Sequence, residues 1–262
     1  MLFLKKGRYA MANPIAVNFD SVKILIAFAE HAQKHGLEIT YDLQVFIDEP
    51  ERVTRLVKYI KAGAPIWQVE TLPDINWPAV YQKLGMEAEY QEFVKTTNWS
   101  NPSLWIVPAI NGATCNKVVA AMKNDGVKFW PNKDLDASLS RNDRDPNKDG
   151  SYVVGFRRTI EADEENKNLS ADILAEHNHK GITLLERLLL GAGYFWTTGQ
   201  HLDVKNITLS TGSRDLVGSV PSVCFFFSVY GEVFVSWYGP GIRHDSLRSR
   251  SAVPPPVAEQ LA

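Results

Sequence analysis

The chain has few cysteines and no excess of charge of either sign. Cys115 and Cys224 are the two cysteines among 262 residues, too few for a disulfide framework or a four-thiolate zinc site. Lys and Arg number 28 against 30 Asp and Glu. Binding to a phosphate backbone depends on a basic surface that releases counterions, so nucleic acid is not an expected partner.

Long apolar segments are missing as well. The apolar residues 2–4 are followed at once by Lys5 and Lys6, so the start lacks the apolar stretch of a signal peptide. No run is long enough to cross a bilayer. We therefore expect a cytoplasmic protein without membrane insertion.

The first hundred residues are predicted to form a helical unit. Leu25, Phe28 and Ala32 recur at helical spacing between Asp20, a potential N-cap, and a closing glycine. Helices are predicted over residues 21–35, 41–47, 50–62 and 78–95.

Residues 101–149 are predicted as a small α/β segment. Strands are expected over 104–107 and 127–130, with a helix over 114–124 between them. The polar stretch 134–150 is predicted as a loop and as the boundary between domains.

Residues 150–253 are predicted to form a β-rich domain. A strand over 152–156 and a short helix beginning at Ser170 precede a longer helix over 184–197, for which Thr183 and Glu186 have capping-box spacing. Strands are expected over 207–209, 220–227, 233–237 and 247–253, followed by a loose tail over 254–262. The predicted fold class is α+β.

The composition changes abruptly within this domain. The first 206 residues contain 41 Lys, Asn, Gln and Met in total. At the same frequency, residues 207–253 would contain roughly nine, yet they contain none. Sheet structure accounts for part of this bias, because strands are poor in Lys and Asn, but turns and exposed faces commonly carry them.

Codon replacement offers a second explanation. Codons whose first two bases vary and whose third is a pyrimidine never encode Lys, Gln, Met, Glu or Trp. Residues 207–253 contain a single Glu and a single Trp, Glu232 and Trp237. Codons of this type can encode Asn, but Asn would be the residue of the parent codon, and it is missing because that codon has already been replaced.

The segment also carries a recognisable residue pattern. Its members are Ser213, Arg214, Gly218, Val220, Pro221, Val223, Val235, Trp237, Pro240, Arg243, Leu247, Arg248 and Arg250. Over roughly residues 150–253 this pattern resembles variable proteins of diversity-generating retroelements from candidate-phylum bacteria. The resemblance implies a C-type lectin-like fold whose surface residues are rewritten by a reverse transcriptase to bind changing ligands.

The resemblance also distinguishes framework from surface. Arg214, Trp237, Arg248 and Arg250 would be framework residues. No Glu-Pro-Asn or Gln-Pro-Asp triplet occurs, so sugar binding through calcium is not expected.

Strand alternation predicts which residues face a ligand. Alternate side chains face opposite sides, so Val223, Phe225, Val233, Val235 and Trp237 would be buried. The predicted ligand-binding residues are Asp215, Ser219, Ser222, Cys224, Phe226, Ser228, Tyr230, Phe234, Ser236, Tyr238, Ile242, His244, Asp245 and Ser246. Aromatics among serines resemble an antibody paratope. Alternatively, the 184–197 helix or the N-terminal unit covers these aromatics.

Other chemistries remain open. Cys115 begins a predicted helix, whose dipole could lower the thiol pKa, and His177, His179 or His201 could assist it in a cysteine-dependent hydrolase. A third possibility is an adaptor that docks partners through the helical N-terminal unit.

Two short segments carry residues that can ligate metals. Asp145, Asn147, Asp149 and Gly150 match the first half of an EF-hand loop, but Phe156 stands where the bidentate Glu should be. The pattern therefore predicts either a calcium site or a solvated turn there. His177 and His179 fall at a helix end, where a cationic His complements the dipole. No cofactor is expected otherwise.

Overall fold

The computed structural model describes residues 72–97, 101–226 and 231–254. The helices predicted over 21–35, 41–47 and 50–62 lie outside the described residues, as do residues 255–262 of the predicted tail. The described residues belong to one compact unit, Leu72–Ala262. The domain boundary predicted at 134–150 is therefore wrong.

Helices and strands are both present, as the α+β prediction requires. The helices are α1 Trp77–Lys83, α2 Glu87–Thr96, α3 Cys115–Asn124, α4 Pro146–Asp149, α5 Ala171–Glu176 and α6 Leu184–Thr198, with a 3-10 turn at Glu164–Asn166. The strands are β1 Leu104–Ala109, β2 Lys128–Trp130, β3 Leu139–Asn142, β4 Tyr152–Arg157, β5 Ile207–Leu209, β6 Ser213–Asp215, β7 Val220–Phe226, β8 Glu232–Tyr238 and β9 Leu247–Ser249.

Among the described residues, none of the helices has the length and apolar character needed to cross a membrane.

Three predicted elements differ from the observed ones. The single helix predicted over 78–95 is two helices, because Gly85 adopts φ +66° between α1 and α2. The polar loop 134–150 contains β3 and α4. The strand predicted over 247–253 ends at Ser249, after which isolated bridges join Ser251 to Gly181 and Val253 to Gly155.

A five-stranded mixed sheet organises the C-terminal half. Its strand order is β2-β8-β7-β5-β9, with β7 at the centre. β7 and β8 pair antiparallel along their whole length, while β2 runs parallel to β8 and β9 runs parallel to β5. Two smaller sheets pair β1 with β4 and β3 with β6.

Helix α6 packs in the main core. Its leucines Leu184, Leu188 and Leu189 are buried in one cluster with Val223 and Val235 of the sheet. The capping box predicted at its start is confirmed, since Thr183 accepts from the Glu186 nitrogen and the Glu186 carboxylate accepts from the Thr183 nitrogen. Gly199, in the left-handed conformation, ends the helix.

The carboxylate of Glu186 also holds the polar segment against α6. Arg144 donates to it through Nε at 2.7 Å and Nη2 at 2.8 Å, and the Tyr152 hydroxyl donates at 2.8 Å. Glu186 is fully buried. This contact explains why the 134–150 segment packs into the same unit instead of separating two domains.

We expect Glu186→Gln to lower the free energy of unfolding by about 3 kcal/mol, because it leaves the Arg144 guanidinium without its counter-charge. Tyr152→Phe, the matched control, removes one hydrogen bond to the same carboxylate and should cost roughly 1.5 kcal/mol. Urea denaturation measures both. A smaller loss for Glu186→Gln than for Tyr152→Phe would contradict this role.

Candidate functional site

The predicted ligand-binding residues on β7 and β8 lie opposite one another. Ser222 pairs with Ser236, and Cys224 pairs with Phe234. Phe226 lies at the end of β7 opposite Glu232, and Ser228 and Tyr230 lie outside the described residues. The register therefore brings the predicted strand positions to one face of the sheet.

The burial of side chains on β7 and β8 agrees with the prediction for the core-facing residues and disagrees with it for two of the outward-facing ones. Val223, Phe225, Val233 and Val235 are buried, as the alternation predicts, and Trp237 is half-buried against the same core. The prediction that Ser222 and Cys224 are presented to a ligand is wrong, because they are 1% and 6% exposed.

The position of β7 explains this burial. β7 is the central strand, flanked by β5 and β8, and Leu209 of β5 pairs with Ser222. Leu209, Val220 and Leu247 form a second cluster with Ala171 of α5, so this face is covered rather than solvated. Strand alternation alone does not reveal a second covering helix.

β8 retains partial access to solvent. Phe234, Ser236 and Tyr238 are half-buried. The ring of Phe234 lies 5.3 Å from that of Trp130 on the neighbouring edge strand β2, and Trp130 is half exposed. Trp130 was missed by sequence reasoning because it lies outside the segment of unusual composition.

The register also defines one end of the sheet. Val220, the first residue of β7, pairs with Tyr238, the last residue of β8. The turn before β7, residues 216–219, and the loop after β8, residues 239–246, therefore leave the sheet at the same end. We call these two segments together the end-loop surface.

The turn of the end-loop surface exposes apolar side chains. Leu216 is 74% exposed and Val217 is 85% exposed. The Asp215 carboxylate accepts from the nitrogens of Val217 at 3.0 Å and Ser219 at 2.7 Å, and Gly218 adopts φ +88°. The turn is thus held by hydrogen bonds while its apolar side chains point to solvent.

The loop of the end-loop surface is also internally bonded. The Ile242 nitrogen donates to the Gly239 carbonyl at 2.9 Å, and the Asp172 nitrogen of α5 donates to the Pro240 carbonyl at 3.1 Å. The His244 Nδ1 and the Ser246 hydroxyl are 2.9 Å apart. Ile242 is 50% exposed, and His244 and Asp245 are exposed.

The end-loop surface therefore contains the exposed members of the predicted set among the described residues, Ile242, His244 and Asp245. Its predicted members are Ser219, Ile242, His244, Asp245 and Ser246, with Asp215 at its base. Leu216 and Val217 were not predicted, because apolar residues beside a strand are ordinarily assigned to the core. The signal that could have found them is the flanking Asp215 and Gly218, since Asp and Gly are typical turn residues.

The three arginines that the resemblance assigns to the framework donate hydrogen bonds within the fold. Arg250 donates to Asp203 and to the carbonyls of Thr159 and Ile160. Arg248 donates to the Ala162 carbonyl, and Arg214 donates to the carbonyls of Thr211 and Ser213.

Cys115 does not have the properties of a nucleophile. It is buried at the start of α3, and the Asp136 carboxylate accepts from its backbone nitrogen at 2.8 Å. Burial raises the pKa of the Cys115 thiol well above its usual range, and the nearby Asp136 carboxylate raises it further. The prediction that the helix dipole lowers this pKa is wrong, and no hydrogen bond joins Cys115 to a histidine in the described part of the chain.

The residues that match the first half of an EF-hand loop form a turn that is closed by their own hydrogen bonds. The Asp145 carboxylate accepts from the Asn147 nitrogen, and the Asp149 carboxylate accepts from the Asp145 nitrogen. The Asn147 side chain bonds to Gly112 and Ala113. Within residues 72–97, 101–226 and 231–254, no group of three or more His, Cys, Asp or Glu could hold a metal ion.

The three histidines predicted as candidates to assist Cys115 lie in two different places. His177 forms the C-cap of α5 and His179 follows it, so both fall at a helix end as predicted. His201 lies after α6, between the rings of Phe195 at 4.7 Å and Phe225 at 3.8 Å.

Because Leu216 and Val217 are exposed, replacing both with Ser should change the free energy of unfolding by less than about 0.5 kcal/mol. Leu209→Ser, a matched change at a buried position, should cost about 3 kcal/mol or more. Chemical denaturation compares them. A large loss in the double variant would mean that the turn is part of the core.

No known protein family, no curated protein and no solved structure matches this chain. Its function must therefore be argued from the geometry and chemistry of the end-loop surface.

Proposed function

We propose that this protein is a non-enzymatic recognition protein that binds a protein or small-molecule ligand through the end-loop surface. The observation that carries the proposal is the exposure of Leu216, Val217 and Ile242 on two loops at one end of the sheet. Apolar side chains clustered on an exposed surface commonly mark binding sites.

The hydrogen bonds that hold the two loops in place support this function. The Asp215 carboxylate holds the turn, and α5 holds the loop through the bond from Asp172 to Pro240. A preorganised surface loses less conformational entropy when a ligand binds, so more of the contact energy remains as affinity.

The chemistry of the surface supports broad recognition. The surface combines the exposed apolar side chains of Leu216, Val217 and Ile242 with the exposed polar side chains of His244 and Asp245. Apolar contacts supply area, and neighbouring polar groups supply orientation. A surface of this kind can change its ligand by changing a few side chains.

The absence of Lys, Asn, Gln and Met over residues 207–253 supports diversification of this surface. We propose that the chain is a variable protein of a diversity-generating retroelement with a C-type lectin-like C-terminal domain, which it resembles in its residue pattern. The cysteine hydrolase alternative is not favoured, since the Cys115 thiol is buried and its pKa is raised.

Sequencing this gene from many cells of one population tests the proposal. We expect substitutions to concentrate in the codons of Ser219, Ile242 and residues 244–246, at positions that are adenine in a near-repeat of the gene, and to spare Asp215, which holds the turn. The codons for Trp237 and Arg248, which lie between or beside them, are the internal control and should not vary.

A uniform distribution of substitutions would contradict diversification. Invariance of codons 207–253 at the level of the first 206 would do the same, and would leave sheet structure as the cause of the unusual composition.

A further inference from the structure

A small cavity lies beneath α6. Its volume is about 10 Å³, which is the space that one water molecule or one small ion needs. Its lining is mostly apolar and includes Met122, Leu188 and Val233. The polar residues that line it are Arg187, His201 and Cys224.

The cavity adjoins a group of buried charges with a positive excess. Arg187 and Arg250 are 3% and 1% exposed, and both donate to the carboxylate of Asp203. Asp203 is the one carboxylate that contacts either guanidinium among the described residues. Two buried cations thus share one anion, and unpaired buried charge is costly.

Arg187 has hydrogen-bonding capacity left for a ligand. Its Nε donates to Asp203 at 2.8 Å, and its Nη2 is 2.7 Å from the same carboxylate. Within the described part of the chain, its Nη1 donates to no acceptor. A Cβ at Gly191 would stand 2.5 Å from Nη1, so the glycine keeps the space beside Nη1 open.

His201 contributes a second donor. Burial, and secondarily the Arg187 charge, lower the pKa of His201 to about 4. Its imidazole is therefore neutral at pH 7 and carries one N–H. Its stacking between Phe195 and Phe225 fixes the plane of the ring.

We propose that this cavity binds a monoatomic anion, chloride in the cell, between the Arg187 guanidinium and the His201 imidazole. The lining contains donors and no carboxylate. An acceptor-only ligand with a negative charge balances the excess of the two guanidiniums, which water cannot do. The flexible side chain of Met122 lets the cavity adjust to an ion slightly larger than water.

This site is independent of the end-loop surface. It lies under β7, where Val223, Cys224 and Phe225 line it. A bound anion would stabilise the packing of α6 on the sheet, whatever ligand the loops recognise.

Thermal unfolding in chloride against gluconate at equal ionic strength tests the proposal. Gluconate is too large for the cavity and serves as the reference anion. We expect the Tm to rise by about 4 °C when chloride reaches ten times its Kd. His201→Phe keeps the aromatic stack and removes the N–H, so the chloride-dependent rise should disappear in that variant.

Two further variants complete the design. Gly191→Ala pushes a methyl group toward Nη1 and should also abolish the chloride effect, whereas His177→Phe, an exposed control, should retain it. Crystals of the unaltered protein grown in bromide should show the ion between Arg187 and His201.

Equal Tm values in chloride and gluconate would overturn the proposal, and the cavity would then hold water. A chloride effect that persists unchanged in both His201→Phe and Gly191→Ala, or the absence of bromide from the cavity, would also overturn it.

Discussion

The C-terminal half of the structure depends on the hydrogen bonds and ion pairs of the buried Asp203 carboxylate. It accepts from Arg187 of α6, from Arg250 beyond β9 and from the Thr208 hydroxyl of β5. Its backbone nitrogen donates to the Ile160 carbonyl, and its own carbonyl accepts from the Phe225 nitrogen of β7. One residue therefore joins helix α6, strands β5 and β7, the segment after β9 and the loop at Ile160.

This network separates the framework from the surface. Asp203 is fully buried and adopts φ +56°, a left-handed conformation that Asp tolerates better than most residues. The turn 216–219 leads into β7, which Asp203 joins through Phe225. Among the described residues, none of the side chains that bond the Asp203 carboxylate belongs to residues 216–219 or 239–246. Side chains on those loops can therefore change without loss of the buried charge pairs.

Local patterns in the sequence predicted most of the elements. The capping box of Thr183 and Glu186, and the alternation in β8, are properties of neighbouring residues, so α6 and β8 were predicted within about two residues. Tertiary contacts decided the rest. α5 covers the face on which Ser222 lies, and burial, reinforced by Asp136, raises the pKa of Cys115, yet neither effect has a signal in the local sequence. Leu216 and Val217 were missed because an apolar pair in a turn has the same residue types as a core strand.

The central claim is that the end-loop surface tolerates change and the buried positions beside it do not. Two libraries displayed on yeast and sorted by resistance to protease test it directly. One randomises Ile242, His244, Asp245 and Ser246, and the other randomises four small buried positions, Thr208, Ser222, Cys224 and Ser249. We predict that most members of the first library stay folded while few members of the second do. Similar survival of the two libraries would contradict the account.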